Sequence, residues 1–358
     1  SKIMTLLSKI CSIARYRRQI PYGLHQNNWP GGGLSTNTFS RGIRRNPLGR
    51  KGGMNLAPQF SEYNNGNNMG HRLFKSTIFT FGFCGAAFVG ATIWQYETYR
   101  SKTKLSDWSS WIRNHWNEMD GFEQKQGEFR QVMNKWWSGL NEGEKMFWPL
   151  CLLNVFVYGC WQNPAFQRTM LRFFVANPAA RAVCWPMLLS TFSHYTILHL
   201  GMNMYVLNSF SSGVCGTMGR EQFLAMYLSS GVVSSYVSHA FKIAASMPGA
   251  SLGASGAIMG LLGYFCSVYP NAQLGIVFIP GFSFSADSAI KGIMCLDAVG
   301  MAMGWRMFDH AAHLGGAIFG VMYAHIGSQY IWGQREPIMK KWHELRTSLT
   351  DNSGKSDR

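Results

Sequence analysis

Ser255 and His313 are the two residues whose types and settings could do chemistry together. The serine stands in Gly253-Ala254-Ser255-Gly256 and the histidine in Ala312-His313-Leu314-Gly315-Gly316, each at the head of an apolar run. A serine hydroxyl attacks a carbonyl effectively only when a base takes its proton, and a neighbouring imidazole is such a base. The chemistry would be acyl transfer, with Ser255 as nucleophile and His313 as general base and then general acid. Only eleven Asp, Glu, Lys or Arg occur between Met146 and Gln334, so this chemistry would run inside a lipid-embedded bundle.

A tetrahedral intermediate also needs donors for its oxyanion. In the run from His194 to Asn203, His199 and Asn203 lie four apart on one helical face. With the backbone N–H of Ser255, near a helix start, they are the candidate oxyanion donors. His194, about 140° round the helix from His199, is the candidate brace of the loop. Gly253 and Gly256 flank the serine, and Gly256-x-x-x-Gly260 and Gly316-x-x-x-Gly320 offer small-residue faces on which two helix backbones can approach.

Other chemistries lack their residues. There is no His-Glu-x-x-His for a zinc protease, and neither Asp287 nor Asp297 stands in Gly-x-Gly-Asp. Residue 257 is Ala, which breaks the soluble-hydrolase elbow Gly-x-Ser-x-Gly. His310 and His313, three apart, could ligate a metal or haem, but that leaves Ser255 unexplained. No metal and no cofactor are expected. The eight cysteines are scattered without a Cys-x-x-Cys pair and read as small core residues.

These residues must be positioned by membrane-crossing helices. Ser76 to Tyr96 is uncharged and long enough to cross about 30 Å of hydrocarbon. Six further spans are predicted at 146–162, 190–210, 222–241, 252–269, 286–304 and 311–332, giving an all-α polytopic membrane protein with one amino-terminal helix ahead of a six-helix core. Alternate helices of an antiparallel bundle begin at the same face. Spans two, four and six of the core therefore bring His194 to Asn203, Ser255, and Asp309 to His313 to one depth. Such convergence favours catalysis over unrelated buried polar groups. The connection 163–189, with Arg168, Arg172, Arg181, Trp185 and Pro186, is expected to lie at the membrane surface. No internal repeat is seen, which argues against an inverted-repeat transporter.

The chain divides into a basic segment at 1–70, an amino-terminal transmembrane helix at 71–98, an amphipathic linker at 99–145, the core at 146–334 and a polar tail at 335–358. Residues 1–61 hold ten Lys or Arg and no Asp or Glu, the pattern of a mitochondrial presequence. Nothing there forms a nucleic-acid recognition module, so no nucleic-acid partner is expected. In the linker, Trp108, Trp111 and His115 share a helical face suited to the headgroup level.

Taken in order, His-x4-His-x3-Asn, Gly-x-Ser-Gly and Ala-His-x2-Gly-x3-Gly resemble the rhomboid intramembrane serine proteases, and the stretches around Ser255 and His313 look most like the family's mitochondrial branch. The resemblance covers about residues 145 to 345. It implies a six-helix rhomboid core with one extra amino-terminal helix, a dyad of Ser255 and His313, and oxyanion donors at Asn203 and His199. Single-span transmembrane proteins would be the substrates, cut within the bilayer of the mitochondrial inner membrane. With the basic amino terminus in the matrix, seven crossings leave the carboxyl terminus in the intermembrane space and the dyad face towards the matrix. One departure stands out: many rhomboids carry Trp-Arg in the first loop, where this chain has Trp185-Pro186. A non-catalytic polytopic scaffold or chaperone that holds transmembrane helices is the alternative from another class.

Overall fold

The computed structural model describes residues 69–115, 128–247, 249–276 and 279–353. The basic residues 1–61 read as a presequence, and residues 116–127 of the linker, lie outside the described residues.

Helix α1, Met69–His115, does not stop at residue 98. Nothing between Tyr99 and His115 is Pro or Gly, so the backbone ladder continues into the first part of the linker. Its stretch Met69–Thr103 is the one described helix long and apolar enough to cross a membrane by length and composition. Threonines in it donate to their own helix, Thr77 to the Leu73 carbonyl, Thr80 to Ser76 and Thr92 to Phe88. Those three hydroxyls are thereby satisfied in an apolar medium. Helix α2, Glu128–Gly139, has no buried residue and turns Phe129, Val132, Met133, Trp136 and Trp137 outward on one face.

Helix α3, Glu142–Gln162, starts earlier than its apolar run because Asn141 and Glu144 form a reciprocal capping box. It is apolar on the outside, with Leu152, Val155 and Phe156 exposed, while Asn154 is buried. The connection that follows is folded into α4, Gln167–Phe173, and α5, Cys184–Leu189. Trp185 sets its ring against Phe79 of α1, and Arg72 of α1 donates to the carbonyls of Pro178 and Ala180.

The runs predicted as core spans two and three fall on the two arms of one helix, α6, Ile197–Ala244, which breaks at Gly219 (φ 80°, ψ 166°). A left-handed φ with extended ψ is a conformation only glycine adopts without strain. The first arm begins at Ile197, later than predicted, because residues 190–192 form a separate 3₁₀ turn. Helix α7 is Ser255–Val268, α8 is Ala286–Met303, and α9, His310–Met322, continues as a π-helical stretch through Trp332.

The all-α expectation needs one correction. Between α7 and α8, β1 (Gln273–Ile276) pairs antiparallel with β2 (Ile279–Ser285), Gln273 opposite Ser285, with a bulge at Gly275 and Ile276. A short stretch rich in Ile, Val and Phe around Pro280-Gly281 favours paired strands over a bare loop. The polar tail forms α10, Glu336–Ser353, held against α1 by Trp342 and Arg346 on Glu97, both at 2.8 Å.

Helix α7 is squeezed between the second arm of α6 and α9. A Cβ at Gly256 would strike the Ser234 side chain, and one at Gly260 the Ser230 side chain. From the other side, a Cβ at Gly316 would strike the Gly256 carbonyl, and one at Gly320 the Gly260 carbonyl. The four glycines thus permit backbone-to-backbone packing that sets how close the heads of α7 and α9 can come.

Candidate active site

The head of α7 and the head of α9 meet. His313 Nε2 lies 2.8 Å from Ser255 Oγ, within hydrogen-bond distance. Both line a cavity of about 750 Å³, together with His199, Lys242, Ser251 and Asp309. Its outer rim is apolar and open, with Leu198, Met307 and Phe308 exposed. An alcohol touching the imidazole nitrogen, beside a cavity large enough for a peptide segment, is the arrangement nucleophilic acyl transfer requires.

The loop ahead of Ser255 is fixed from several sides. Gly253 has φ +128°, and its N–H donates to the Ser190 carbonyl at 2.9 Å. A Cβ there would lie 2.8 Å from Cε1 of His199, so glycine serves both the conformation and the close approach of that ring. His194 is fully buried; its Nε2 accepts the Ala254 N–H at 3.4 Å, and its ring meets His199 edge-on. The Ser255 N–H belongs to the first turn of α7, where N–H groups have no intrahelical acceptor. Thr196 caps the first arm of α6 by accepting the His199 N–H.

His199 and Asn203 are placed differently. His199 faces the cavity, whereas Asn203 is buried behind it and donates one amide N–H to the His199 carbonyl at 2.9 Å. Of the two, the imidazole stands nearer the serine loop.

Two polar clusters that sequence spacing did not reveal flank the Ser255–His313 pair. In the loop ahead of α9, Asp309 caps that helix through the Ala312 N–H and accepts from Lys242 Nζ at 2.7 Å and Ser238 Oγ at 2.6 Å. Ser251 touches both Lys242 and Asp309. Burial would push the Asp309 carboxyl up, but the Lys242 ammonium and the two hydroxyls outweigh it and hold it well below the usual carboxylate range. On the other side, Asp297 of α8 is buried, with Oδ1 2.7 Å from His310 Nδ1 and 3.6 Å from His313 Nδ1. From the sequence, Asp297 figures only as an aspartate without a Gly-x-Gly-Asp setting, and His310 only as a possible metal ligand alongside His313. The signal that could have drawn them together is the shared position of both at the site-facing ends of consecutive helices.

A helical bundle holding a serine hydroxyl against an imidazole at a cavity among apolar helices defines a class, the intramembrane serine proteases. Residues 181–330 match the Rhomboid domain. The chain belongs to the rhomboid family and is a rhomboid-type serine protease, a peptide-bond hydrolase acting on transmembrane substrates in the bilayer. It is 48% identical over 290 residues to the mitochondrial presenilin-associated rhomboid-like protein of Bos taurus, covering 79% of this chain and 74% of the relative. The Homo sapiens protein of the same name is 47% identical over the same shares. Mitochondrial rhomboid protein 1 of Saccharomyces cerevisiae is 33% identical over 195 residues, 54% of this chain and 56% of that one.

Proposed function

We propose that this chain is an endopeptidase of the mitochondrial inner membrane that cuts single-span transmembrane proteins with a dyad of Ser255 and His313. The observation that carries the reading is the 2.8 Å approach of Oγ to Nε2 at the edge of a cavity between apolar helices. His313 takes the Ser255 proton as Oγ attacks the scissile carbonyl, then gives it to the departing amine; water and the same imidazole reverse the sequence to free the acyl product. The Ser255 N–H, His199 and Asn203 supply donors to the oxyanion, His199 the most directly. His194 braces the loop.

The layout is one plus six: α1, then α3, the two arms of α6, α7, α8 and α9. Helix α7 has 14 residues and a length of about 21 Å, short of the roughly 30 Å hydrocarbon layer. Ser255 at its head therefore sits below the lipid surface, in a cavity water must enter. Exposed Leu198, Met307 and Phe308 form an apolar rim suited to a substrate helix arriving from lipid. The outward Phe and Trp face of α2 suits the headgroup region.

Basic, acid-free residues 1–61 and the names of the relatives support a mitochondrial address. Arg72 at the start of α1 holds the connection that pairs, through Ala176, with Ser251 beside the dyad, so that end of α1 and the dyad share a membrane face. An amino terminus in the matrix then sets the dyad face towards the matrix and α10 in the intermembrane space. The test is cleavage of a transmembrane reporter by purified protein, with a serine-directed fluorophosphonate. Parent enzyme cuts and is labelled at Ser255; Ser255→Ala and His313→Ala do neither. Cutting by both variants at the parent rate would sink the dyad, and an unlabelled parent would favour a scaffold.

A further inference from the structure

We infer that Arg72 of α1 is a positioning residue for the reaction, acting on the Ser255–His313 pair through Ser251; the inference rests on the dyad reading above. The residues that match the Rhomboid domain begin at 181. Helix α1 and the turn that Arg72 holds both precede that point, so the device lies outside the part of the chain that the family domain covers. Arg72 Nη1 donates to the carbonyls of Pro178 and Ala180, at 3.1 and 3.0 Å. Inside the same turn, the Asn177 carbonyl accepts the Ala180 N–H at 3.1 Å and its side-chain oxygen accepts the Ala179 N–H at 2.9 Å. Val175, Ala176 and Asn177 are buried. A planar guanidinium set on two carbonyls fixes the direction in which such a turn leaves the helix beside it.

What the turn delivers is Ala176, which exchanges both backbone hydrogen bonds with Ser251 in the loop ahead of α7, at 2.9 and 2.8 Å. Ser251 is where the two helix heads are joined. Along the chain it leads in four residues to Ser255. Through its side chain it touches Lys242 and Asp309, and Asp309 caps α9 at the Ala312 N–H, one residue before His313. A displacement of Ser251 therefore reaches the nucleophile through the backbone and the base through the cap. Two further ties of this loop, Gly253 N–H on the Ser190 carbonyl and Ala254 N–H on His194, come from segments inside the matched domain. The tie at Ser251 is the one that α1 governs.

Helix α1 also meets the bundle where it has no hold on this turn, which separates fastening the helix from aiming the loop. The Thr77 hydroxyl, five residues further along α1, lies 3.1 Å from the Tyr236 hydroxyl on the second arm of α6. Loss of that contact slackens α1 against the core and leaves the bonds of Arg72 to the turn intact. Loss of the guanidinium frees the turn, and with it the Ala176–Ser251 pair.

The experiment compares Arg72→Met, which keeps an apolar stem and removes the donors, with Thr77→Val, in the full chain reconstituted in lipid nanodiscs. In Arg72→Met the backbone amides of Ala176 and Ser251 should exchange with deuterium about tenfold faster than in the parent, because the pair opens locally, while those of the second arm of α6 keep the parent rate. Cleavage of the transmembrane reporter and fluorophosphonate labelling of Ser255, both read well below the unfolding temperature, should slow together by roughly tenfold. Arg72→Lys, which keeps a charged donor, should recover part of both. Thr77→Val should lower the unfolding temperature while exchange at Ser251 and labelling at Ser255 stay near the parent. Parent-like exchange at Ser251 in Arg72→Met, or equal slowing of labelling in Arg72→Met and Thr77→Val, would overturn the inference. Should Arg72→Met fail to fold, Asn177→Ala loosens the same turn from within; faster exchange at Ser251 with slower labelling would uphold the inference, and parent values of both would refute it. A parent enzyme unlabelled at Ser255 would bring down the dyad and the positioning role with it, while exchange at Ser251 would still show whether Arg72 holds that residue.

Discussion

Two polar clusters are built around the single run Asp309 to His313, and they are finished differently. At Asp309 both carboxyl oxygens are in use: Oδ1 caps α9, and Oδ2 takes Lys242, Ser238 and Ser251 from two other segments. At His313 the cluster keeps spare capacity, with Oδ2 of Asp297 and Nε2 of His310 buried and unpartnered among the described residues. A saturated network holds elements in register, since any shift costs it a bond. An unsaturated one leaves buried groups free to take a new partner when a neighbour gains or loses a proton. On the proposed reading the first cluster belongs to architecture and the second to chemistry, although only a few residues separate them.

The sharpest way to separate them is to remove chemistry without touching architecture. Ser255→Ala or His313→Ala should abolish turnover, about a millionfold in kcat for groups that act as a unit, with thermal unfolding in detergent left near that of the parent. A large drop in unfolding temperature in either variant would mean that the second cluster also carries the fold.

The opposite operation strikes the saturated cluster. Lys242→Met strands the Asp309 carboxyl, and losing one member of a largely buried pair costs about 3 kcal/mol. Unfolding temperature should fall and activity follow it, with residual activity recovered at lower temperature. The difference between parent and variant should also depend on pH. A carboxyl depressed in the folded state contributes fully above its unfolded pKa of about 4 and loses that contribution as pH falls towards the folded value. In the variant, burial without the ammonium pushes the stranded carboxyl up so that it takes a proton as pH falls, and the gap in stability is thus widest near neutral pH and narrows through mild acid.

Between these extremes lies the glycine seam. Gly316→Ala drives a Cβ into the Gly256 carbonyl, which as backbone cannot swing aside. Overpacking of this kind costs about 1–3 kcal/mol. It also pushes the two helix heads apart, and misplacement of reacting groups by about 1 Å can cost a hundredfold in rate. Both clusters should suffer together here, visible as lower stability and slower labelling in one variant.

How much of this was legible follows from how local each feature is. The apolar runs and the Gly-x-x-x-Gly spacing are written in consecutive residues, so the helices and the tight α7–α9 packing could be read directly. The approach of Ser255 to His313 followed from counting spans. The break at Gly219 was legible only as a gap between runs, and the β-hairpin at 273–285 was passed over because its strands are too short to register against the helices beside them. Asp297 and Lys242 were opaque for another reason. Each is a charge in an apolar span, and its partner is chosen by which helix packs against which face. Nothing in the spacing of Lys242 and Asp309 announces a contact, just as nothing links Asp297 to His310 until α8 packs against α9.

The smallest predicted effect probes the first arm of α6, where the two kinds of organisation touch. Thr196 accepts the His199 N–H at 3.1 Å as a helix cap, and losing such a cap costs about 1 kcal/mol. The His199 ring is held separately at its far end, against Gly253 and the edge of His194. Thr196→Ala should therefore lower the unfolding temperature slightly while Ser255 labelling stays near the parent rate. A marked fall in labelling would show that the cap, rather than ring packing, aims His199 at the oxyanion, and the cap would then belong with the chemistry.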